Sequence, residues 1–205
     1  MNFVIGLLLH KAGKQFSKKE CKEIRAEAER RYEELDRENR DRPKALKRHT
    51  DMCMFPSIAV YESLVKHGME RETAIDLISA VFYGFSKTAF RFVSLRLHLF
   101  GGYHRYPAAF VRNSMKSFSP ASGFVYRMPE QTDPAAARFD IVQCPYHDMC
   151  CKYNCPELNR VFCDSDEAKY SHLHPKLAWK RNGTLGSGAD CCDFLIVDTS
   201  KGKMR

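Results

Sequence analysis

The spacing of the apolar residues changes near Ser119, and this change constrains the fold more than any other feature of the sequence. Before Ser119 the apolar residues recur about every 3.6 residues, which is typical of helices. After it they recur at every second residue, which is typical of strands. The alternating positions are Phe124, Tyr126, Met128, Phe139, Ile141 and Gln143. Helices followed by strands joined through short connections predict an α+β fold.

The part before Ser119 predicts four helices. Ser17 and Glu20 form a capping-box pattern that begins a long charged helix, which ends near Arg40. Further helices are predicted over residues 57–67, 71–100 and 107–118. The apolar stripe of the first helix is thin, so it must pack on the body of the protein or on a second copy. The stripe consists of Cys21, Ile24, Ala28 and Leu35.

The part after Ser119 predicts a four-stranded antiparallel sheet. The two alternating segments form one strand pair, and residues 177–185 and 191–198 form a second pair around a glycine-rich turn. Two short helices, which begin at Pro145 and Pro156, lie between the strand pairs. The N-terminal helices are expected to pack on this sheet.

We therefore expect a single α+β domain over residues 1–205. It has a charged helical arm (1–42), a helical half (43–118) and a sheet half (119–205) that contains a cysteine-rich site. Its length is sufficient for one sizeable core.

Charge and targeting patterns narrow the class of protein. The formal net charge is +8, but the basic residues of the N-terminal third alternate with acidic ones, which disfavours nucleic-acid binding and still allows an anionic small molecule. The apolar segment at residues 3–9 is too short for a membrane span and lacks the features of a signal peptide. We expect a cytoplasmic protein with reduced thiols, since nine cysteines, an odd number, do not suit a disulfide framework.

Seven of the nine cysteines lie between residues 144 and 194. Cys144 and Cys155 each precede a proline that begins a helix, where free backbone N–H groups and the helix dipole favour a thiolate. His147, three residues after Cys144, is placed to assist it. The alternative is that these sulfurs simply fill the contact between sheet and helices, as free cysteines often do.

Metal binding is a second use for these cysteines. The spacing shows no CxxC pair of the kind that structural zinc sites usually contain. A zinc site assembled across the fold from Cys144, His147, Cys163 and Cys192 stays open.

Arg181 is placed unusually for a strand residue. Alternation puts it on the same face as Leu177 and Trp179, and a buried guanidinium is costly unless it is paired. Its planar fork suits a carboxylate, from the protein or from a substrate. The candidate protein carboxylates are Asp164, Asp166 and Asp193, of which Asp193 shares a strand face with Leu195.

These residues form a pattern that resembles the L-2-amino-thiazoline-4-carboxylic acid hydrolase family. The resemblance extends from about Ser57 to Ile196 and includes the helical segment SIAVYESLVKHGMERETAIDLI. Cys150, Cys151, Cys155 and Cys191 are not part of the pattern. The motifs that carry it are Cys144-Pro145-Tyr146, Cys163 with Asp166, Arg181-x-x-Thr184 and Gly188-x-x-x-Cys192-Asp193-Phe194.

The resemblance implies hydrolytic opening of a 2-aminothiazoline ring with release of a carbamoylated cysteine. The catalytic candidates are then Cys144, Cys192, Asp166 and Asp193, and the substrate-binding candidates are Arg181, Thr184 and His147. Cys163 is a structural or metal-binding candidate. Both a thiolate attack and a water attack activated by an aspartate fit these residues, and neither requires a cofactor.

Two other classes of function remain open from the sequence. One is a sensor module that binds a metal or a small ligand at the cysteines without turnover. The other is an interaction protein that forms a homodimer through its long N-terminal helix.

Overall fold

The computed structural model describes residues 2–12, 15–131 and 133–201. Their contacts group into two units. The first comprises Met1–Phe82 with Tyr146–Phe162, and the second comprises Tyr83–Pro145 with Cys163–Arg205. The single domain with an arm and two halves stays a prediction. None of the described helices has the length and apolar character of a membrane span.

Eight α-helices and four strands are formed by the described residues. In chain order the helices are α1 (Phe3–Ala12), α2 (Lys18–Glu38), α3 (Lys44–His49), α4 (Phe55–Lys66), α5 (Arg71–Phe100), α6 (Tyr106–Ser117), α7 (Pro145–Lys152) and α8 (Arg160–Tyr170). The strands are β1 (Val125–Arg127), β2 (Ala136–Gln143), β3 (Leu177–Lys180) and β4 (Cys192–Asp198). This composition confirms the predicted α+β class.

The first unit is helical, and α2 is central to it. Its capping box is present, because the Ser17 amide donates to Glu20 Oε2 at 2.8 Å and the Glu20 amide donates to Ser17 Oγ at 3.3 Å. The predicted stripe on α2 faces inward, since Ile24, Ala28 and Leu35 are buried and α2 packs on α1 and α4. Of the two alternatives for the stripe, the structure shows packing on the body of the protein.

The apolar segment at the start of the chain is also explained by packing. It forms α1, whose residues Ile5, Leu8 and Leu9 are buried in the helical core of the first unit. Burying these side chains removes apolar surface from water, which is the main stabilising contribution to such a core.

The second unit contains the antiparallel sheet. The strand order is β1-β2-β4-β3, and each neighbouring pair is antiparallel. Helix α6 packs on β2 and β4.

The two short helices predicted between the strand pairs are α7 and α8, and Pro156 begins a 3-10 turn (Pro156–Asn159) that leads into α8.

One face of the sheet carries an aromatic layer. Phe139 is fully buried, and its ring stacks on Phe194 with the ring centroids 4.9 Å apart. Phe110 of α6 lies 5.4 Å from the Phe139 ring and 5.8 Å from Trp179. Because side chains alternate along a strand, Cys192 shares this aromatic face with Phe194.

The last strand pair is present, but its first strand is shorter than predicted. β3 ends at Lys180, and residues 181–191 form a loop that contains a 3-10 turn (Leu185–Ser187). The reason is the Asp193 carboxylate, which accepts hydrogen bonds from the Asn182 and Gly183 amides. Those amides are therefore directed to a side chain instead of to a neighbouring strand.

Candidate functional site

Helix α8 presents one polar face within the second unit. Cys163, Asp166 and Tyr170 are spaced three and four residues apart, which places them on the same side of the helix. Asp166 Oδ1 accepts a hydrogen bond of 2.8 Å from Lys169 Nζ, one turn further along. Both of these side chains are largely buried.

Arg181 extends from the end of β3 to this face of α8. Its Nη1 donates to the Cys163 carbonyl at 3.0 Å and lies 3.9 Å from Asp166 Oδ2. The guanidinium is only 12% exposed, as the sequence suggested for a residue directed inward. Of the three candidate partners, Asp166 is the carboxylate that it approaches. Two cations and one carboxylate therefore meet here.

Two thiols lie beside these charges. Burial raises the pKa of Cys163 to about 12, although Thr184, which hydrogen-bonds the thiol, and Arg181 act in the opposite direction. Burial also raises the pKa of Cys192, even though the Leu185 amide donates to its sulfur at 3.3 Å. Both sulfurs are therefore neutral thiols near pH 7, which makes them weak nucleophiles.

Cys144 follows the end of β2 and lies near Tyr126. Burial raises the pKa of Tyr126, and the nearby Cys144 sulfur raises it further. Tyr126 packs edge-on against Phe139, with ring centroids 5.8 Å apart. Across the sheet, Ile141 of β2 is paired with Tyr126 of β1 on one side and with Cys192 of β4 on the other. Tyr126 and Cys192 therefore lie on the same face of the sheet, and Cys144 is close enough to Tyr126 to affect its pKa.

Asp193 lies on the opposite face from its neighbour Cys192. Its oxygens accept hydrogen bonds from the Gly183 amide at 2.8 Å, from the Asn182 amide at 2.9 Å and from Asn182 Nδ2 at 2.7 Å. Burial acts to raise the pKa of Asp193, but these hydrogen bonds outweigh it and hold the pKa below its usual value. The contacts anchor the start of the loop, next to Arg181.

Replacing Asp193 with alanine is expected to lower the free energy of unfolding by about 3 kcal/mol, because several hydrogen bonds to a buried charge are lost. The carboxylate binds protons more weakly when folded, so its contribution is present above about pH 4 and disappears as the pH falls further. Urea unfolding at pH 7 and at pH 3 checks this. Asp190→Ala, in the same loop but exposed, is the control. An equal loss at both pH values would contradict the prediction.

Thr184 organises the next part of the loop. Its hydroxyl accepts from the Ser187 amide at 3.1 Å, and the Ser187 hydroxyl accepts from the Thr184 amide at 3.1 Å. This reciprocal cap holds the 3-10 turn that directs the Leu185 amide at Cys192. Thr184 therefore already has partners within the protein.

His147 belongs to the first unit, on α7. Its Nε2 lies 3.7 Å from Cys151 Sγ, one turn along the helix. Its Nδ1 is buried and has no hydrogen-bond partner among the described residues.

Across the described ranges, no three His, Cys, Asp or Glu side chains form a group that could hold a metal ion. The zinc set of Cys144, His147, Cys163 and Cys192 is therefore not assembled in this structure.

The sequence reasoning missed two residues of this cluster. Lys169 was not selected, although its position three residues after Asp166 is the spacing of a helical ion pair. Tyr170 was also missed. Burial and the neighbouring Asp166 raise the pKa of Tyr170 far above its usual value, so it stays neutral beside the charged residues.

The described part of the second unit thus defines an α+β protein with a largely buried cluster of two cations, one carboxylate and two neutral thiols beside an antiparallel sheet. The model of the L-2-amino-thiazoline-4-carboxylic acid hydrolase family matches residues 47–196, most of the chain, and the protein belongs to this family. Neither a search of curated proteins nor a search of solved structures found a match.

Proposed function

We propose that the protein is a hydrolase that opens a small heterocycle carrying a carboxylate and an amidine-like carbon, such as 2-aminothiazoline-4-carboxylate. The observation that carries this proposal is Arg181. Its guanidinium is largely buried, and its one hydrogen bond within the described residues is to a backbone carbonyl. Its nearest carboxylate, at 3.9 Å, is already bound to Lys169.

Substrate binding would use this remaining capacity of Arg181. A guanidinium presents two parallel N–H donors that match a carboxylate. The positive charge of Arg181 would offset the charge of the substrate. A buried site strengthens this attraction because water screens it less.

The nucleophile in this proposal is Cys144. The Cys163 and Cys192 thiols are neutral near pH 7 because burial raises their pKa values. Cys144 is partly buried and precedes Pro145, the first residue of α7, a position that favours the thiolate. Its sulfur would add to the ring carbon between nitrogen and sulfur. The ring C–N bond would break as the nitrogen takes a proton.

Asp166 would complete the reaction. After ring opening, water must attack the same carbon, and the C–S bond to Cys144 must break, so that one water is consumed overall. A carboxylate held in place by Lys169 and Arg181 is suited to accept the proton from that water. Asp193 and Thr184 act as positioning residues for the loop that carries Arg181.

The experiment is incubation of the purified chain with 2-aminothiazoline-4-carboxylate, with product detected by mass spectrometry as the addition of one water. Arg181→Ala is expected to raise KM roughly 10- to 100-fold, because a hydrogen-bonded charge pair with the substrate contributes about 1.5–3 kcal/mol. Arg112→Ala, at an exposed position of α6, is the matched control.

Two results would count against the proposal. Absence of turnover with this substrate and with carboxylate-bearing analogues would leave the hydrolase proposal without support. If Arg181→Ala turned over the substrate with an unchanged KM, the protein would still be a hydrolase, but the substrate carboxylate would bind at another residue.

A further inference from the structure

The second half of α5 has two apolar faces, and one of them is exposed. On the packed face, Ser86 and Leu97 are buried, and Phe90 contacts the Tyr170 ring at 5.3 Å. Nearly opposite lies a second row of apolar side chains. Its exposed fractions are 69% for Phe85, 70% for Phe92, 52% for Leu95 and 66% for Leu99.

The exposed row has the spacing of a helix–helix contact. Phe85, Thr88, Phe92, Leu95 and Leu99 alternate at three and four residues, and we call these five residues the α5 stripe. This is the a/d pattern of a coiled coil, which places all its members on one narrow seam. Thr88 fits such a seam because its hydroxyl already donates to the Gly84 carbonyl at 2.9 Å.

The exposed surface is large enough for a small protein–protein interface. The four apolar residues of the stripe expose on the order of 500 Å² of apolar area. Two copies joined through the stripe would bury about 1,000 Å² in total, which is the lower limit for a specific interface. Monomers rarely leave a contiguous patch larger than a few hundred Å² in water.

We propose that the α5 stripe is the contact through which two copies of this chain form an antiparallel dimer. A stripe of this kind is self-complementary, because the same row of knobs and holes meets itself across a two-fold axis. The stripe of α2, from which the sequence predicted a dimer, is buried against the first unit. The α5 stripe is exposed in the described structure.

The charges beside the stripe determine the orientation. Residues 83–100 include Lys87, Arg91 and Arg96 and contain no acidic residue. In a parallel pair, Arg91 of each copy would lie beside Arg96 of the other copy. The dimer would then contain two contacts between like charges, which repel each other. In an antiparallel pair with Phe92 opposite Leu95 of the other copy, Arg91 faces His98 and Arg96 faces Ala89. The antiparallel arrangement therefore avoids the repulsion.

The test is sedimentation equilibrium of the full chain over a range of concentrations. The wild type is expected to dimerise with a dissociation constant in the micromolar range or below. Phe92→Glu places a carboxylate in the interface from each of the two copies. It is expected to raise the dissociation constant at least about 100-fold. Circular dichroism establishes that this variant is folded. Met128→Glu is the matched control, because Met128 is also an exposed apolar residue, at 52%, but lies outside the stripe.

Cross-linking tests the orientation. A chain carrying both Thr88→Cys and Leu99→Cys is expected to give a covalent dimer on mild oxidation, because each position 88 meets position 99 of the other copy. With Thr88→Cys alone, a disulfide between the two copies of position 88 can form only in a parallel dimer. Wild-type protein oxidised in the same way is the control, because it shows how much covalent dimer the native cysteines form.

Three outcomes would overturn the proposal. They are a wild type that stays monomeric at the highest concentration reached, a dimer that Phe92→Glu does not weaken, and a covalent dimer from Thr88→Cys alone. A monomer that co-sediments with phosphatidylglycerol vesicles through Phe92 would assign the stripe to an anionic membrane surface instead.

Discussion

Replacing Cys144 with serine is expected to lower kcat for ring opening on the order of a thousandfold, provided that the protein is the hydrolase proposed above. A serine hydroxyl at this position has the same shape but is a far weaker nucleophile than a thiolate. KM is expected to change little, since the proposed binding group for the substrate carboxylate is Arg181, which this variant keeps. Steady-state kinetics with 2-aminothiazoline-4-carboxylate measures both quantities.

The comparison thiols make this experiment decisive. Cys192→Ser is expected to keep kcat within about tenfold of wild type, because burial already keeps that thiol neutral. Cys151→Ser, at an exposed position of α7, is the neutral control. If Cys192→Ser lost activity and Cys144→Ser kept it, the two roles would be exchanged. If both variants kept activity, water would attack directly without a covalent intermediate.

Replacing Phe139 with alanine is expected to lower the free energy of unfolding by about 3–5 kcal/mol. Phe139 is fully buried at the centre of the aromatic layer. Its ring lies 4.9 Å from Phe194, 5.4 Å from Phe110 and 5.8 Å from Tyr126. Removing the ring leaves a cavity between strands on both sides of β2 and helix α6, which cannot collapse without moving the backbone.

Urea unfolding followed by tryptophan fluorescence measures this effect. Trp179 is the sole tryptophan of the chain, and its ring lies 5.3 Å from Phe194. Its emission therefore reports on the second unit. Phe3→Ala is the control, since Phe3 is 79% exposed and should change the unfolding free energy by less than about 0.5 kcal/mol. A change below about 1 kcal/mol for Phe139→Ala would mean that the aromatic layer is not a rigid core.

The secondary structure was largely readable from local patterns. The helix predicted over residues 71–100 has those bounds, and the capping box at Ser17 begins α2. These features depend on contacts within a few residues, which the sequence contains directly. The end of β3 was not readable, because the atoms that end it belong to Asp193, on another strand.

The sequence named residues of the charged cluster but did not give their arrangement. An arginine at the end of an apolar strand and the family pattern around it selected Arg181, Asp166, Cys163 and Cys192. The contacts of Arg181 with the Cys163 carbonyl and with Asp166 join α8 to the end of β3, and no local pattern contains such a contact. No local pattern shows the role of Lys169 either, because that role depends on the contact between Asp166 and Arg181.

The sequence by itself determined the α+β class and the helices α2, α4, α5 and α6, and it named residues that could carry chemistry. It did so because apolar period, caps and prolines act on the backbone over one or two turns. Tertiary structure alone decided that burial raises the pKa values of Cys163 and Cys192 and that Asp193 anchors a loop on the face opposite Cys192. It also decided that the apolar stripe of α2 is covered while that of α5 is exposed. Burial and charge pairing depend on side chains that are far apart in the chain and adjacent only after folding. A local pattern fixes neither of them.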